Sequence, residues 1–482
     1  MSGNAPTTSV REVNGPRAVV ILVYLGLSLQ LLQVGIIPLL PQIGKAVHST
    51  PANISWLVTG PLLSGAVFLA VLSRLADLIG KKKVVQIALG LVLIGSLIGC
   101  FVDSFGGLVV ARILMGAVLP MLALPEAIAS DTMAPRRAQF TIGAIHSGTG
   151  AGISAGLLLG ALAATGHASW RAYFVVGAVA SVVGLVSVAF GLRDSDARAE
   201  GHLDVVGAVL LALGPVGVLL AVTEGPTWGW TSGRVLGSGL GGLVVVALWW
   251  LHQSRSRYPL ISVRHLVEPA VRLPYAITFL AAIGIYSALS AVTRLAQTPP
   301  ATGAGYGWSA SQAAWYALPQ LIGSVGAFFV IRALVHRGRQ VEALMLGVGL
   351  LVVSFLLYGP LVGHASGTLI ALLVDSTGLA LVLALTQIII LRSVPAAQSG
   401  MALGLSIIMY AAGNSVGSAV TGSLFAAHAT AAGVPALSAY RLTFLVSGIA
   451  AVVALALCWP LLQRFRRTRA QAASTEPHGA PA

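Results

Sequence analysis

Charged side chains are scarce in this sequence. Only 9% of its 482 residues are Asp, Glu, Lys or Arg, whereas 56% are hydrophobic and the mean hydropathy is +0.89. A water-exposed surface of ordinary charge density cannot be built from so few charged residues. The shortage argues against a soluble globular protein and predicts an all-α polytopic membrane protein in contact with the lipid bilayer.

Cysteine is nearly absent, and the residues that usually bind metals form no recognisable group. Cys100 and Cys458 lie in apolar segments, and neither has a His or Cys neighbour at the spacing of a metal site. The ten histidines form no H-x-x-x-x-D or H-E-x-x-H pattern. We therefore expect no metal, no cofactor, no catalytic residues and no enzymatic activity.

Acidic residues are outnumbered by basic ones, 14 to 28, which gives a net charge of +14. A large positive charge can indicate nucleic-acid binding when it is concentrated on one domain. Here Lys and Arg are spread over short loops between apolar segments, as the orientation of a membrane protein requires. We therefore expect no nucleic-acid partner.

Long apolar segments dominate the rest of the chain. Proline, glycine and charged clusters divide it into pieces of about 20 to 26 residues, the length that an α-helix needs to cross a hydrocarbon core of ~30 Å. The fourteen predicted spans are 18–43, 54–77, 84–102, 107–129, 139–164, 171–192, 204–223, 234–252, 271–293, 311–335, 341–362, 367–391, 398–426 and 440–463. An even number of spans places both termini on one side of the membrane.

The distribution of basic residues predicts which side that is. With both termini cytoplasmic, only five of the 28 basic residues fall in outer loops. The first apolar run follows Arg17 and lacks a small-x-small cleavage pattern, which favours an uncleaved span over a signal peptide. We expect a multi-pass protein of the bacterial plasma (inner) membrane that acts as a monomer.

A basic loop between spans 2 and 3 reads RLADLIGKKKV from Arg74. It could be a positive-inside anchor with a helix-capping acid. It also resembles the G-x-x-x-D-R-x-G-R-R loop of the major facilitator superfamily, in which the match is carried by Asp77, Gly80, Lys81 and Lys82. In that family the loop is a conformational gate, so the resemblance implies the same role for these residues and Arg74.

The same pattern returns more faintly 258 residues later, in RALVHRGRQ. Arg332, Gly338 and Arg339 stand where Arg74, Gly80 and Lys81 stood, but Val335 replaces the acid. Repetition at a fixed offset indicates two related halves, as in parallel-repeat transporters.

Span 4 contains a basic residue within a hydrophobic stretch. An unpaired arginine such as Arg112 costs from ~2.5 kcal/mol upward in hydrocarbon, although it could snorkel to the outer interface. Arg112 and Gly116 fit the R-x-x-x-G pattern of the proton-coupled exporters of this superfamily, where the arginine is implicated in proton transfer. Glu126 follows fourteen residues later, so a regular helix would point both charges toward one cavity.

Span 5 is rich in glycine at a spacing of four residues, which clears one helix face for close packing in lipid. Followed by the pair Trp170-Arg171, the stretch resembles the G-P-x-x-G-G antiporter signature, with Leu157 in place of the proline. Ordinary small-residue packing is the alternative. Because a late span repeats the pattern, we expect both sets to lie at the boundary between the halves. The glycines are Gly148, Gly152, Gly156, Gly160, Gly413 and Gly417.

Taken in order, these motifs resemble the fourteen-span drug:proton antiporter branch of the superfamily, particularly its actinobacterial multidrug efflux members. The resemblance implies the major facilitator fold, with two six-helix bundles and two inserted helices. The implied organisation is a cytoplasmic N-terminal tail at 1–17, an N-terminal bundle at 18–192, a linker with two additional helices at 193–270, a C-terminal bundle at 271–463 and a cytoplasmic, disordered tail at 464–482.

The sequence departs from the branch where the branch carries its first-span aspartate, because Leu32 occupies that position. Proton coupling needs an intramembrane group that gains and loses a proton. The candidates are Glu126 and Asp375, with Arg112 tuning them, and Glu224, which adjoins the outer boundary and fits an interfacial position better. Asp375 could instead line an outward water-filled cleft without coupling.

We predict a secondary active transporter that exports hydrophobic or amphipathic small molecules, including drugs and antibiotics, in exchange for protons. An importer or uniporter, and a non-transporting member of the fold, are the alternatives. Pockets of this kind are lined by dispersed apolar and aromatic side chains. The candidate substrate-binding residues are Gln30, Gln33, Trp56, Tyr286, Tyr316 and Tyr410.

Overall fold

A computed structural model gives the structure of the chain, and its secondary structure is helical. It describes residues 14–49, 54, 56–163, 169–194, 198, 201–256, 259, 269–298, 300, 305–308, 312, 317–394, 399–428 and 435–475.

Over the described residues, fourteen long helices follow one another in the order of the predicted spans. They are α1 (Pro16–Val34), α2 (Trp56–Ile79), α3 (Lys81–Phe101), α4 (Phe105–Thr132), α5 (Pro135–Leu162), α6 (Ala172–Gly191), α7 (Val205–Trp228), α8 (Gly233–Arg255), α9 (Pro269–Gln297), α10 (Ala317–His336), α11 (Gln340–Leu361), α12 (Ala365–Ser393), α13 (Ser399–Ala427) and α14 (Leu437–Thr475).

Twelve of these helices contain a candidate membrane span, judged by length and apolar composition over the described residues. The other two helices, α7 and α13, contain shorter apolar stretches, Val205–Val218 and Ala402–Asn414. The protein is therefore an all-helical, multi-pass membrane protein with twelve candidate spans, and a count of fourteen stays a prediction.

Helix α4 is not regular along its length. Residues Gly116–Met121, with Pro120 inside, form a 3-10 helix between two α-helical segments. The irregular turn packs on α2, where Ser64 Oγ donates to the carbonyl of Ile113 at 2.8 Å and a Cβ at Gly116 would collide with Ser64. Close approach of the two backbones therefore requires glycine at this point.

The glycine ladder of span 5 packs within its own half. A Cβ at Gly152 would collide with the carbonyl of Leu27, and one at Gly156 would lie 2.8 Å from the carbonyl oxygen of Leu31. The helix that packs on the glycine face of α5 is therefore α1. The prediction that these glycines lie at the boundary between the halves is wrong. Because the glycines are four residues apart, they lie about one turn apart on α5, and each one faces a successive turn of α1.

The late glycines behave in the same way. Added Cβ atoms at Gly413 and Gly417 would collide with the carbonyls of Phe279 and Ile283, so this face of α13 packs on α9. These two glycines also lie inside one half, and their predicted inter-half position is wrong for the same reason. Sequence periodicity identifies a contact face but does not identify the helix that covers it.

Two large hydrophobic clusters form the cores of the N-terminal half (α1–α6) and the C-terminal half (α9–α14). Each cluster includes residues from the other half. Ile142 of α5 belongs to the C-terminal cluster, and Leu403 and Ile407 of α13 belong to the N-terminal one. Side chains of α5 and α13 therefore pack into the core of the opposite half.

The contact surface between the halves includes the α5–α10 pair and the α2–α13 pair, beside the α5–α12 and α4–α13 pairs. Ser147 Oγ donates to the carbonyl of Ser324 at 3.0 Å, and Phe140 and Phe328 meet edge to face at 5.0 Å. At the α2–α13 pair, a Cβ on Gly404 would lie 3.1 Å from Ser73 Oγ. We call the α5–α10 and α2–α13 pairs the inter-half contact.

Helices α7 and α8 pack closely on each other, and α7 also contacts α2 and α13. Asp204 caps α7 by accepting a hydrogen bond of 2.8 Å from the backbone N–H of Gly207. Its carboxylate also lies 3.0 Å from His252 Nε2 and accepts from Gln253 at 3.1 Å, which ties the start of α7 to the end of α8.

Candidate functional site

Arg112 of α4 is buried, with an exposed fraction of 2%, and it forms hydrogen bonds to residues of three other helices. Its Nε donates to the carbonyl of Leu57 at 2.7 Å, and its Nη1 donates to the carbonyl of Leu32 at 3.1 Å and to the hydroxyl of Tyr173 at 2.5 Å. The Tyr173 hydroxyl in turn donates to the Leu32 carbonyl. Arg112 therefore joins α1, α2 and α6 rather than snorkelling to an interface.

All the partners described for Arg112 are uncharged. One of them is the backbone carbonyl of Leu32, the position at which the first-span acid was expected and found missing. A carbonyl dipole solvates a guanidinium without supplying a proton-exchanging group. The guanidinium is thus surrounded by dipoles and by the aromatic ring of Tyr173, whose centroid is 5.6 Å away.

Glu126 and His146 form a buried pair between α4 and α5. Their side chains are 0% and 1% exposed, and His146 Nε2 lies 2.8 Å from Glu126 Oε1. The atoms are at ion-pair distance but lack the alignment of a hydrogen bond. Among the described residues, Glu126 Oε2 and His146 Nδ1 likewise have no hydrogen-bond partner. A buried acid beside a buried base, each with spare capacity, can exchange a proton.

Arg112 and Glu126 do not have a common partner, although a regular helix would have turned both toward one cavity. The interruption at Gly116–Met121 lies between them, so a rotation of 100° per residue does not hold across the fourteen positions. Arg112 bonds to α2, α6 and the α1 backbone, whereas Glu126 contacts α5. The two side chains therefore contact different helices, and the expectation that they face one cavity stays a prediction.

Asp375 lies in α12 among neutral polar side chains. It is 5% exposed, and Ser354 of α11 donates to its Oδ1 at 3.4 Å. Tyr410 of α13 interacts electrostatically with both Asp375 and Tyr286, and its hydroxyl bonds to Asn414. Tyr410, a predicted substrate-binding residue, thus interacts with the predicted proton carrier Asp375, and Tyr286 interacts with Tyr410. No basic partner of Asp375 is found among the described residues.

The other predicted lining residues are not joined to this group by any described contact. Gln30 and Gln33 are half-buried on α1, and Gln30 lies next to the α5 glycine face. Trp56 is half-buried at the start of α2. Tyr316 lies outside the described residues.

The loop between α2 and α3 forms a buried charge cluster. Lys81 Nζ lies 2.5 Å from Asp131 Oδ2 and 3.5 Å from Asp77 Oδ1, and the three side chains are 1% exposed or less. Asp131 lies in the last turn of α4, with its side chain 1% exposed. Lys81 therefore links the ends of α2, α3 and α4.

The neighbouring residues of this loop bind to the chain beyond α6. Gly80 has a φ of +114°, and a Cβ there would collide with Asp194. Lys82 binds Asp194 through its backbone N–H at 3.1 Å and the carbonyls of Ala189 and Leu192 through Nζ. The conformation of the turn thus depends on glycine and on a pre-positioned acid.

Arg74 extends the cluster toward the inserted helices. Its Nη2 donates to the carbonyl of His202 at 3.5 Å, and its charge interacts with Asp77 and Asp204. In the second half, Gly338 also has a positive φ, +69°, but Val335 replaces the acid. The repeat therefore preserves the turn geometry without the buried charges.

Three residues of these sites were not identified from the sequence, namely His146, Tyr173 and Asp131. His146 carried the clearest signal, because it is a histidine inside a predicted span. Tyr173 follows the Trp170-Arg171 pair that drew attention to this region, and Asp131 ends a span opposite a basic loop. Each lies on a different segment from its partner, so chain spacing alone does not pair them.

The sequence matches the family model described as Major Facilitator Superfamily over residues 18–418. It is 27% identical over 398 residues to the tetracenomycin C resistance and export protein of Streptomyces glaucescens, and the match covers 80% of this chain and 71% of that protein.

It is also 27% identical over 266 residues to a uridine/deoxyuridine transporter of Lactococcus lactis subsp. cremoris, covering 53% of this chain and 54% of that protein. The crystal structure of the human organic anion transporter MFSD10 is similar, with a TM-score of 0.63 and 18% identity, covering 92% of this chain and 100% of the other.

Proposed function

This chain belongs to the major facilitator superfamily and is a secondary transporter rather than an enzyme, and we propose that it exports hydrophobic or amphipathic small molecules in exchange for protons. The observation that carries the proposal is the burial of two acids, Glu126 and Asp375, within helices that are candidate membrane spans. Buried intramembrane acids are costly and are typically retained for ion or proton movement.

The resemblance to an export protein supports the direction of transport. The Streptomyces relative is named for resistance to tetracenomycin C and its export, and further relatives at 27% identity are named multidrug resistance proteins. We therefore propose drug-like organic molecules as the substrate class. Tyr410, which interacts with both Asp375 and Tyr286, would offer such a molecule aromatic surface near a carboxyl group.

Alternating access of the two halves would couple proton and substrate movement. One proton moving inward gains ~2.3 kcal/mol per 100 mV, which supports a concentration ratio of about 50 for the exported molecule. The inter-half contact described above is the surface that would open and close. The buried charge cluster of Lys81, Asp77 and Asp131 would hold the inner ends of α2, α3 and α4 together as one body during this movement.

We further propose the bacterial plasma membrane as the location, with both termini cytoplasmic and the chain acting as a monomer. The proposed organisation has bundles at 18–192 and 271–463 around a two-helix linker at 193–270. The excess of basic residues in alternate loops supports this orientation. The bacterial relatives support the compartment.

An importer or uniporter is the second candidate. The missing first-span acid at Leu32 and the Lactococcus relative named as a nucleoside transporter favour it. In that case transport would follow the substrate gradient, and neither buried acid would be needed to couple it to protons.

Transport in everted membrane vesicles with a panel of fluorescent dyes and antibiotics, with and without an uncoupler, distinguishes the two. Proton-driven export predicts dye uptake into everted vesicles that stops when the uncoupler is added. Asp375→Asn should abolish gradient-driven uptake at unchanged expression. Uptake that continues in the absence of a proton gradient would contradict the exchange mechanism and support the uniporter.

A further inference from the structure

The pairing of Glu126 with His146 has a charge consequence for the transport cycle. The two groups are buried with their nearest atoms 2.8 Å apart. With one proton between them the pair has no net charge, and without it a single carboxylate is left in the interior, which is expensive. A pair of this kind releases its proton where water or a cation can reach it.

Other ionisable groups on the helices packed against α4 and α5 do not serve this purpose. Among the described residues, His146 is the one basic group within ion-pair distance of Glu126. Tyr24 of α1 donates to a backbone carbonyl, and Lys81 of α3 is held by Asp77 and Asp131. Arg74 of α2, Arg332 of α10, Asp375 of α12 and Tyr410 of α13 form no described contact with either member.

The position of His146 on α5 connects the pair to both packing surfaces of that helix. The preceding residue, Ile145, lies against Gly26 of α1, where a Cβ would lie 2.9 Å from it. The following residue, Ser147, donates to the Ser324 carbonyl across the inter-half contact. A small rotation of α5 would therefore change the distance between His146 and Glu126 while it changes the contact between the halves.

We infer that His146 is the second half of a proton-binding site with Glu126, and that α5 couples proton occupancy of this site to the inter-half contact. The inference rests on the proposed proton exchange and adds a residue and a route to it. The step is a proton transfer in which water on one side supplies the proton to the pair and water on the other side accepts it. No other bond forms or breaks.

The first test does not depend on transport. Infrared difference spectra of the purified protein in liposomes, recorded across a pH series, should contain a protonated-carboxyl band that Glu126→Gln removes. In His146→Gln, the pH at which this band titrates should move by one unit or more, because the amide cannot take up a proton. A matched control is His364→Gln, since His364 is exposed and its side chain makes no capping bond to α12.

An unchanged titration in His146→Gln would overturn the inference, and so would a Glu126 band that does not titrate at all. Where the glutamine variant does not give a monodisperse peak on size exclusion, His146→Asn replaces it. Either variant is compared with wild type at the same lipid composition.

The second test uses ethidium in proteoliposomes. Proton-gradient-driven ethidium transport should fall at least tenfold in His146→Gln, while ethidium counterflow without a gradient persists and His364→Gln behaves as wild type. Loss of counterflow together with gradient-driven transport would indicate a structural role for His146 and would overturn the inference. Absence of gradient-driven transport in wild type would instead contradict the proposed function, and the infrared titration separates that outcome.

Discussion

Arg112 Nη1 donates to the backbone carbonyl of Leu32, at a distance of 3.1 Å. The family resemblance of the sequence implies an acid at this position of span 1, and here Arg112 bonds to the main chain instead. The carbonyls and the tyrosine hydroxyl that hold the guanidinium are all uncharged. These bonds tie α4 to α1, α2 and α6, and we predict that Arg112 fixes these helices relative to one another.

Removal of the Tyr173 hydroxyl tests this role. Tyr173→Phe keeps the ring but takes away the acceptor for Arg112 and the donor to Leu32. A buried group left without its partner costs about 1–3 kcal/mol, so we expect a lower unfolding midpoint in detergent and a several-fold loss of transport. Tyr306→Phe, outside the membrane spans, serves as the matched control for transport. Equal loss of transport in both variants would contradict a specific role for Tyr173.

The charge cluster at the α2–α3 loop predicts a strong stability effect. Lys81→Met removes the cation that lies within 4 Å of both Asp77 and Asp131. Loss of one partner from a buried ion pair typically costs about 3–5 kcal/mol. Lys83→Met removes the same charge from an exposed position two residues away and should change stability little. Thermal unfolding of both variants in detergent measures the difference, and similar midpoints would refute the prediction.

The glycine face of α5 predicts a steric effect. In Gly152→Ala the new methyl group meets the carbonyl of Leu27, so α1 and α5 must separate, at a cost of about 1–3 kcal/mol. At Gly90 on α3 no atom lies within 4 Å of an added Cβ, and Gly90→Ala should leave the fold intact or stabilise it by up to ~1 kcal/mol. The yield of monodisperse protein and its thermal midpoint measure both effects. A Gly152→Ala variant as stable as Gly90→Ala would disprove the close approach.

The cap of α7 predicts a pH dependence. Burial raises the pKa of Asp204, but the N–H of Gly207 and the side chains of His252 and Gln253 outweigh it, and the pKa falls below its ordinary value of 3.8. A lowered pKa stabilises the folded protein above the ordinary value, and the contribution is lost as the pH falls through the lower, folded-state value.

Asp204→Asn should therefore be less stable than wild type at pH 7, by an amount that stays constant down to about pH 4 and then shrinks. Thermal midpoints of both proteins across this range give the comparison. Asp103→Asn, at an exposed position between α3 and α4, provides the control. A difference that grows as the pH falls would contradict the assigned direction.

The order and approximate limits of the helices could be predicted because their signals are local. Span 2 was placed at 54–77 and α2 is Trp56–Ile79, and span 6 was placed at 171–192 and α6 is Ala172–Gly191. Apolar length and the charges that end each run are read directly from neighbouring residues. The loop glycine of each half was also identified, at Gly80 and Gly338.

The partners of the functional side chains could not be predicted from the same signals. Arg112 binds backbone carbonyls, and because every residue has one, this contact leaves no mark in the sequence. Because the turn at Gly116–Met121 is a 3-10 helix, a rotation of 100° per residue does not give the angle between Arg112 and Glu126 around the axis of α4. The glycine faces were recognised, but α1 and α10 are both apolar enough to cover α5, so the choice depends on three-dimensional packing.

The exchange of Leu403 and Ile407 into the N-terminal core also affects how the protein is made. A ribosome that has completed the first six helices has not yet synthesised Leu403 and Ile407, the two residues that α13 contributes to this core. Until α13 emerges and inserts, the nascent first half carries an unfilled apolar surface on α2 and α4. Chains truncated before residue 407 should therefore be cleared by membrane quality-control proteases, even though every helix of the first half is present.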